Sequence, residues 1–191
     1  MIVISYFTPD YAEHADRLRT SCRQFGYRYW VEPIKETGSW LQNCAAKGEF
    51  VRRAIQASSE PVLWLDADAE IKGSLYALEN IGADLAIHED ASLKHMRPYR
   101  LRSGTMLFGC DPPSLALATK WAERCKQHPE KLDQETLLDA WEPMARNGLN
   151  THWLDGEYCC RYDDPGADTA RIVHYQASRE TRRHKNAKPN R

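Results

Sequence analysis

The chain has 191 residues, 42% of them hydrophobic and 28% charged, with a net charge of −1 at pH 7. That is enough apolar material for the core of one domain and too much for a disordered chain. The near-zero balance supplies no global field to attract nucleic acid, and no run approaches the roughly 18 apolar residues of a membrane span.

From the start, Met1 to Phe7 reads as a buried strand, without the charged start and long apolar segment of a signal peptide. The expected setting is cytoplasmic, with the six cysteines as reduced thiols, since none shows metal-binding spacing. Thr8 offers an N-cap and Pro9 a first helical position. Tyr11, Ala15, Leu18 and Cys22 follow at helical spacing, and Gly26 is placed to end that helix. Tyr27 to Ile34 reads as a second strand. A loop with Gly38 and Trp40 leads into a helix with Phe50, Val51, Ala54 and Ile55 on one face. Pro61 to Leu65 is continuously apolar, as a central parallel strand covered on both faces should be.

Leu75, Leu78 and Ile81 mark a further helix before a strand over 84–87, and Thr105 to Phe108 forms another strand. Pro112-Pro113 opens an amphipathic helix carrying Leu115, Ala118, Trp121 and Cys125, followed by a helix from Asp133 to Trp141. Arg171 to His174 is expected as a short edge strand. This alternation predicts a single α/β domain over 1–181, its central sheet mostly parallel and flanked by helices. From Arg179 onward there are four Arg and two Lys against one Glu, and 182–191 is expected to be a basic, mobile tail.

In open α/β sheets the ligand sits at the carboxyl ends of the strands. Asp66 and Asp68 lie there, directly after the most hydrophobic strand. Two carboxylates at the end of a buried strand cost desolvation energy unless something compensates. Read as extended chain, they point to the same side, and a divalent cation shared with a diphosphate would satisfy both. The bland alternative is a solvated turn. Phosphatases of the haloacid dehalogenase type also use a strand-terminal DxD, but theirs lies on the first strand and continues with Thr or Val where this chain has Glu70.

The chain resembles nucleotide-sugar transferases of GT-A fold (Rossmann-like), particularly the glycogenin and galactosyltransferase-like ones, over nearly its whole length. The resemblance rests on Leu63-Trp64-Leu65-Asp66-Ala67-Asp68 as the DxD and Arg102-Ser103-Gly104-Thr105 as the "SG" strand. It continues through Asp133-Gln134-Glu135 as the "DQ" motif, Trp153 to Tyr158 as the loop after it, and His174-Tyr175 as the late metal-binding histidine. It implies a metal-dependent transferase of the hexosyl type. Asp66, Asp68 and His174 would hold Mn²⁺ or Mg²⁺, with Asp66 also on the diphosphate. Asp133 and Gln134 would meet the transferring sugar, and Ser103 and Gly104 would lie near donor or acceptor.

The first βα turn, from Ser5 through Thr8, would hold the nucleotide, with Tyr6 or Tyr11 stacking on its base. Lys47, otherwise read as a solvated charge, would reach the donor. Asp133 is an equally good helix N-cap. The family's late HxxGxxK pattern is broken here: the matching positions are His174, Ala177 and Glu180. A cation for the diphosphate would then come from Arg179, Arg182 or Arg183, whose planar fork suits phosphate. The implied donor is a nucleotide sugar, UDP-linked first, transferred with retention. The acceptor is open between a glycan, a protein and a modified nucleic acid. The competing readings are a DxD phosphohydrolase and a non-catalytic binding module.

Overall fold

The computed structural model describes residues 1–178 apart from 37, 91, 93, 94, 97 and 98. Arg179, Arg182, Arg183 and the tail expected over 182–191 lie outside the described residues.

Ile2–Phe7 forms β1, and a 3₁₀ turn at Pro9–Tyr11 runs straight into α1, Ala12–Gln24. Thr8 precedes that turn in extended conformation without a side-chain cap. Gly26 adopts φ +74°, which lets the amide of Tyr27 reach back to the Cys22 carbonyl at 2.9 Å and close the helix. After β2 (Arg28–Pro33), α2 spans Trp40–Ala57. Its start is a capping box in which Ser39 and Gln42 satisfy each other's backbone amides.

The apolar run becomes β3 (Val62–Leu65), buried at every position. A turn follows, and Ala69–Ile71 forms β4. The helix expected near Leu75 is a single turn, α3 (Tyr76–Glu79). Then come β5 (Leu85–Glu89) and β6 (Leu101–Phe108), α4 (Pro112–Gln127), α5 (Asp133–Arg146), and the short strands β7 (Thr151–Trp153), β8 (Cys160–Arg161) and β9 (Ile172–His174).

The six-stranded sheet has the order β2-β1-β3-β6-β5-β7. Its strands run in one direction except β6, which is antiparallel to both β3 and β5. Alternation along β3 divides the core. Val62 and Trp64 face α2, α4 and α5, while Leu63 and Leu65 face the side covered by α1 and β4. At Gly48 a Cβ would meet the Ala122 backbone nitrogen at 2.9 Å, so this glycine lets α2 lie directly on α4. That close approach sets the depth of the neighbouring Lys47.

β4, β9 and β8 form a second, three-stranded sheet. The expected edge strand near 172–174 is thus the central strand of this small sheet. Its antiparallel register with β4 sets His174 opposite Ala69, one residue beyond Asp68. Among the described residues no helix is long and apolar enough to cross a membrane.

Candidate active site

Asp66 and Asp68 do not share an extended strand. The Asp66 carbonyl accepts from the Ala69 amide at 2.9 Å, so the pair sits on a turn linking β3 to β4. The carboxylates converge because of what flanks the turn. Antiparallel β6 presents the Gly104 carbonyl to the Asp66 amide at 2.9 Å, and the Tyr175 amide donates to the Asp68 carbonyl at 3.0 Å. A parallel β6 would have carried Ser103 and Gly104 to the far end of the sheet.

Ligand atoms of Asp66, Asp68 and His174 lie within 4.8 Å of one another. Asp68 accepts from the Ala177 amide at 2.9 Å and lies 3.7 Å from His174 Nδ1. The other ring nitrogen, Nε2, meets Thr105 Oγ1 at 2.9 Å, an anchor that fixes the imidazole plane. Burial disfavours the imidazolium, but Asp68 and then Cys159 outweigh it and hold His174 up at about 10. Burial likewise favours the neutral acid of Asp68, yet His174 and the Ala177 amide keep it below the usual carboxylate range.

Gly104 leaves a hollow against this group. A Cβ there would lie 3.0 Å from His174 Cε1, 3.3 Å from Nδ1 and 3.4 Å from Asp66 Oδ2. Two carboxylates and an imidazole around a hollow that a methyl group would fill are a donor set suited to a divalent cation of the Mn²⁺ or Mg²⁺ kind.

Next to the hollow lies a buried ion cluster. Lys47, 5% exposed, donates to Asp133 Oδ2 at 2.6 Å, Asp66 Oδ1 at 2.9 Å and the Ser103 carbonyl at 3.4 Å. It sits in the middle of α2 and its three protons are taken. Burial opposes its charge, but Asp133 and then Asp66 raise it well above the ordinary lysine value. Asp133 is the first residue of α5, and its carboxylate takes the Ser103 hydroxyl at 2.8 Å besides Lys47. It therefore faces into the cluster, and α5 starts without a side-chain cap. Gln134 spends its amide nitrogen on the Leu101 carbonyl at 2.7 Å.

These groups line a cavity of about 550 Å³, within the usual span of small-molecule sites. Its wall also includes Tyr6, Thr8, Tyr11, Trp40, Arg102 and Arg161. Ser5 is not part of that wall. It is fully buried within β1, where its hydroxyl has no hydrogen-bond partner among the described residues. Tyr6 presents only an edge, because strand alternation packs its ring on Phe50 and Trp64 and its hydroxyl donates to the Asn43 carbonyl at 2.7 Å. Sequence reasoning missed Trp64 and Thr105, which look like core and strand residues. It missed Cys159 and the Ala177 amide because nothing local signals their position.

No protein-family model matches the chain, and no curated protein matches it by sequence. Solved structures do. A glycosyltransferase involved in glycosylation of the major capsid of PBCV-1 superposes with TM-score 0.73 at 15% identity, over 96% of this chain and 97% of that one. The glycosyltransferase GlyE of Streptococcus pneumoniae TIGR4 gives 0.61 at 14% identity, over 91% of this chain and 54% of its own. The galactosyltransferase LgtC, solved with donor and acceptor sugar analogues, gives 0.59 at 11% identity, over 100% and 98%. The architecture is a GT-A glycosyltransferase fold.

Proposed function

We propose that this protein is a metal-dependent glycosyltransferase that moves a sugar from a nucleoside-diphosphate donor, UDP first, to an acceptor glycan, protein or modified nucleic acid. The observation that carries the reading is the convergence of Asp66, Asp68 and His174 beside the buried Lys47–Asp133 pair, inside one cavity at the carboxyl end of β3. The fold similarity to glycosyltransferases supports it independently.

In this reading Asp66, Asp68 and His174 hold the cation and Asp66 orients it toward the diphosphate. Bound there, a divalent cation supplies positive charge against the leaving diphosphate. Tyr11 is better placed than Tyr6 to stack on the base, since Tyr6 has its ring in the core. Lys47 and the Ser103 hydroxyl both engage Oδ2 of Asp133, at 2.6 Å and 2.8 Å, which suits an electrostatic role beside positive charge on the transferring sugar rather than abstraction of an acceptor proton. That favours retention over inversion. Gln134, its nitrogen held at Leu101, has its amide oxygen left for the sugar.

The test is thermal melting with UDP, Mn²⁺ and both, then product analysis with UDP-sugars. At about 100 times its dissociation constant the pair should add about 2.7 kcal/mol, and a chelator or Asp68→Asn should remove the gain. A shift of the same size without cation would sink the metal role. Release of sugar 1-phosphate and nucleoside monophosphate, with no transfer to any acceptor, would favour the phosphohydrolase.

A further inference from the structure

Asp66 is the more exposed of the two carboxylates at the turn, its side chain 38% exposed against 12% for Asp68. The terminal torsion of an aspartate is soft and nearly two-fold, so such a group would ordinarily sample several orientations. Here one of its oxygens is taken twice. Oδ1 accepts the indole N–H of Trp64 at 3.0 Å and the ammonium of Lys47 at 2.9 Å. Oδ2 lies beside the hollow at Gly104 that His174 Nδ1 also faces.

The direction of the indole N–H is itself fixed by packing. Trp64 is 1% exposed, with Tyr6 and Phe50 at centroid distances of 5.2 Å and 5.9 Å and the Lys47 ammonium 5.2 Å from the ring centroid. Trp64 lies in β3 and Asp66 is the first residue beyond it, its amide still bonded to the Gly104 carbonyl of β6, which keeps the carboxylate within reach of the indole. A phenylalanine two positions before Asp66 would keep an aromatic ring there, though a smaller one, and would carry no donor.

We propose that Trp64 is a positioning residue for the cation: its indole N–H pins Oδ1 of Asp66 so that Oδ2 is the oxygen presented to the metal. The proposal rests on the metal reading above, and its test separates the two. Trp64→Phe keeps a ring against Tyr6 and Phe50 and removes the donor. Mn²⁺ titration followed by electron paramagnetic resonance with UDP present should give a dissociation constant raised about tenfold, the low end for loss of an outer-shell partner. The KM for Mn²⁺ should rise alike, with kcat recovering at high Mn²⁺, an effect that mere loss of core packing would not produce. Wild-type Mn²⁺ affinity in the variant overturns the proposal alone. Failure of the wild-type protein to bind Mn²⁺ with UDP overturns the metal reading with it.

A second measurement does not depend on the folding of the phenylalanine variant. In ¹⁵N-tryptophan spectra, six indole signals are expected from the six tryptophans. Asp66→Asn should displace the signal of the indole bound to Asp66, because its acceptor loses its charge. Unmoved indole signals in that variant would refute the bond and the proposal.

Discussion

Gly104→Ala is a sharp test of the hollow. The backbone at 104 carries no positive φ, so alanine is conformationally allowed and relieves the flexibility of a strand glycine, a gain of about 0.5–1 kcal/mol. Against this, the new Cβ would stand 3.0 Å from His174 Cε1, where ordinary contact begins at 3.4 Å. The ring must therefore retreat by about 0.4 Å, the difference of those two distances. It has little room, being 4% exposed, anchored on Thr105 at 2.9 Å and flanked by Asp68.

Overpacking of this kind costs about 1–3 kcal/mol, so the cation-free protein should lose no more than about 2.5 kcal/mol. Metal–ligand distances tolerate only about 0.2 Å, so Mn²⁺ affinity should suffer more, by about 10- to 100-fold. Calorimetric titration of Mn²⁺ in the presence of UDP, beside thermal melting without metal, separates the two effects. Unchanged Mn²⁺ affinity in a folded Gly104→Ala protein would refute the assignment of the hollow to the cation.

Lys47→Met should be costly to stability as well as to activity. It leaves Asp66 and Asp133 without their shared cation, and removing one partner of a buried pair costs about 3–5 kcal/mol, or about 6–20 °C in Tm for a domain of this size. Adding Asp133→Asn should return part of the loss, and a single-variant cost below about 1 kcal/mol would contradict the buried pairing. His174 makes a pH prediction. Its folded value of about 10 lies above the ordinary 6.5, so its contribution to the cation-free fold is complete below pH 6.5 and is lost as pH rises toward 10. Cation binding must displace the same proton, so Mn²⁺ affinity should rise about tenfold per unit between pH 7 and 9. A flat profile there would remove His174 from the ligand set or its proton from the ring.

Much of the frame is visible in the residues, because long elements average over many side chains. The periodic helices over α1, α2, α4 and α5 and the apolar run before Asp66 each follow from local patterning. β4, β7 and β8, two or three residues each, escape notice for want of a readable period, and β9, equally short, is legible only as an edge strand and not as the centre of its sheet. Tyr6 illustrates a subtler limit. Alternation along β1 turns it toward α2 with Ile4, so a plausible stacking ring becomes core.

Lys47 shows the same limit from the opposite side. Alone it reads as a solvated charge, and only the packing of α2 on α4 sinks it between two carboxylates. The candidate pair Asp66 and Asp68, and the apolar strand that delivers it, follow from short-range chemistry in the sequence itself, whereas Asp133 and His174 are legible as site residues only through the family resemblance. The tertiary structure decided the direction of β6, which brings Gly104 to Asp66, and the register of β9 on β4, which brings His174 to Asp68. Strand direction and register arise from pairing between segments about 40 and 100 residues apart, and no local pattern encodes a partner so distant.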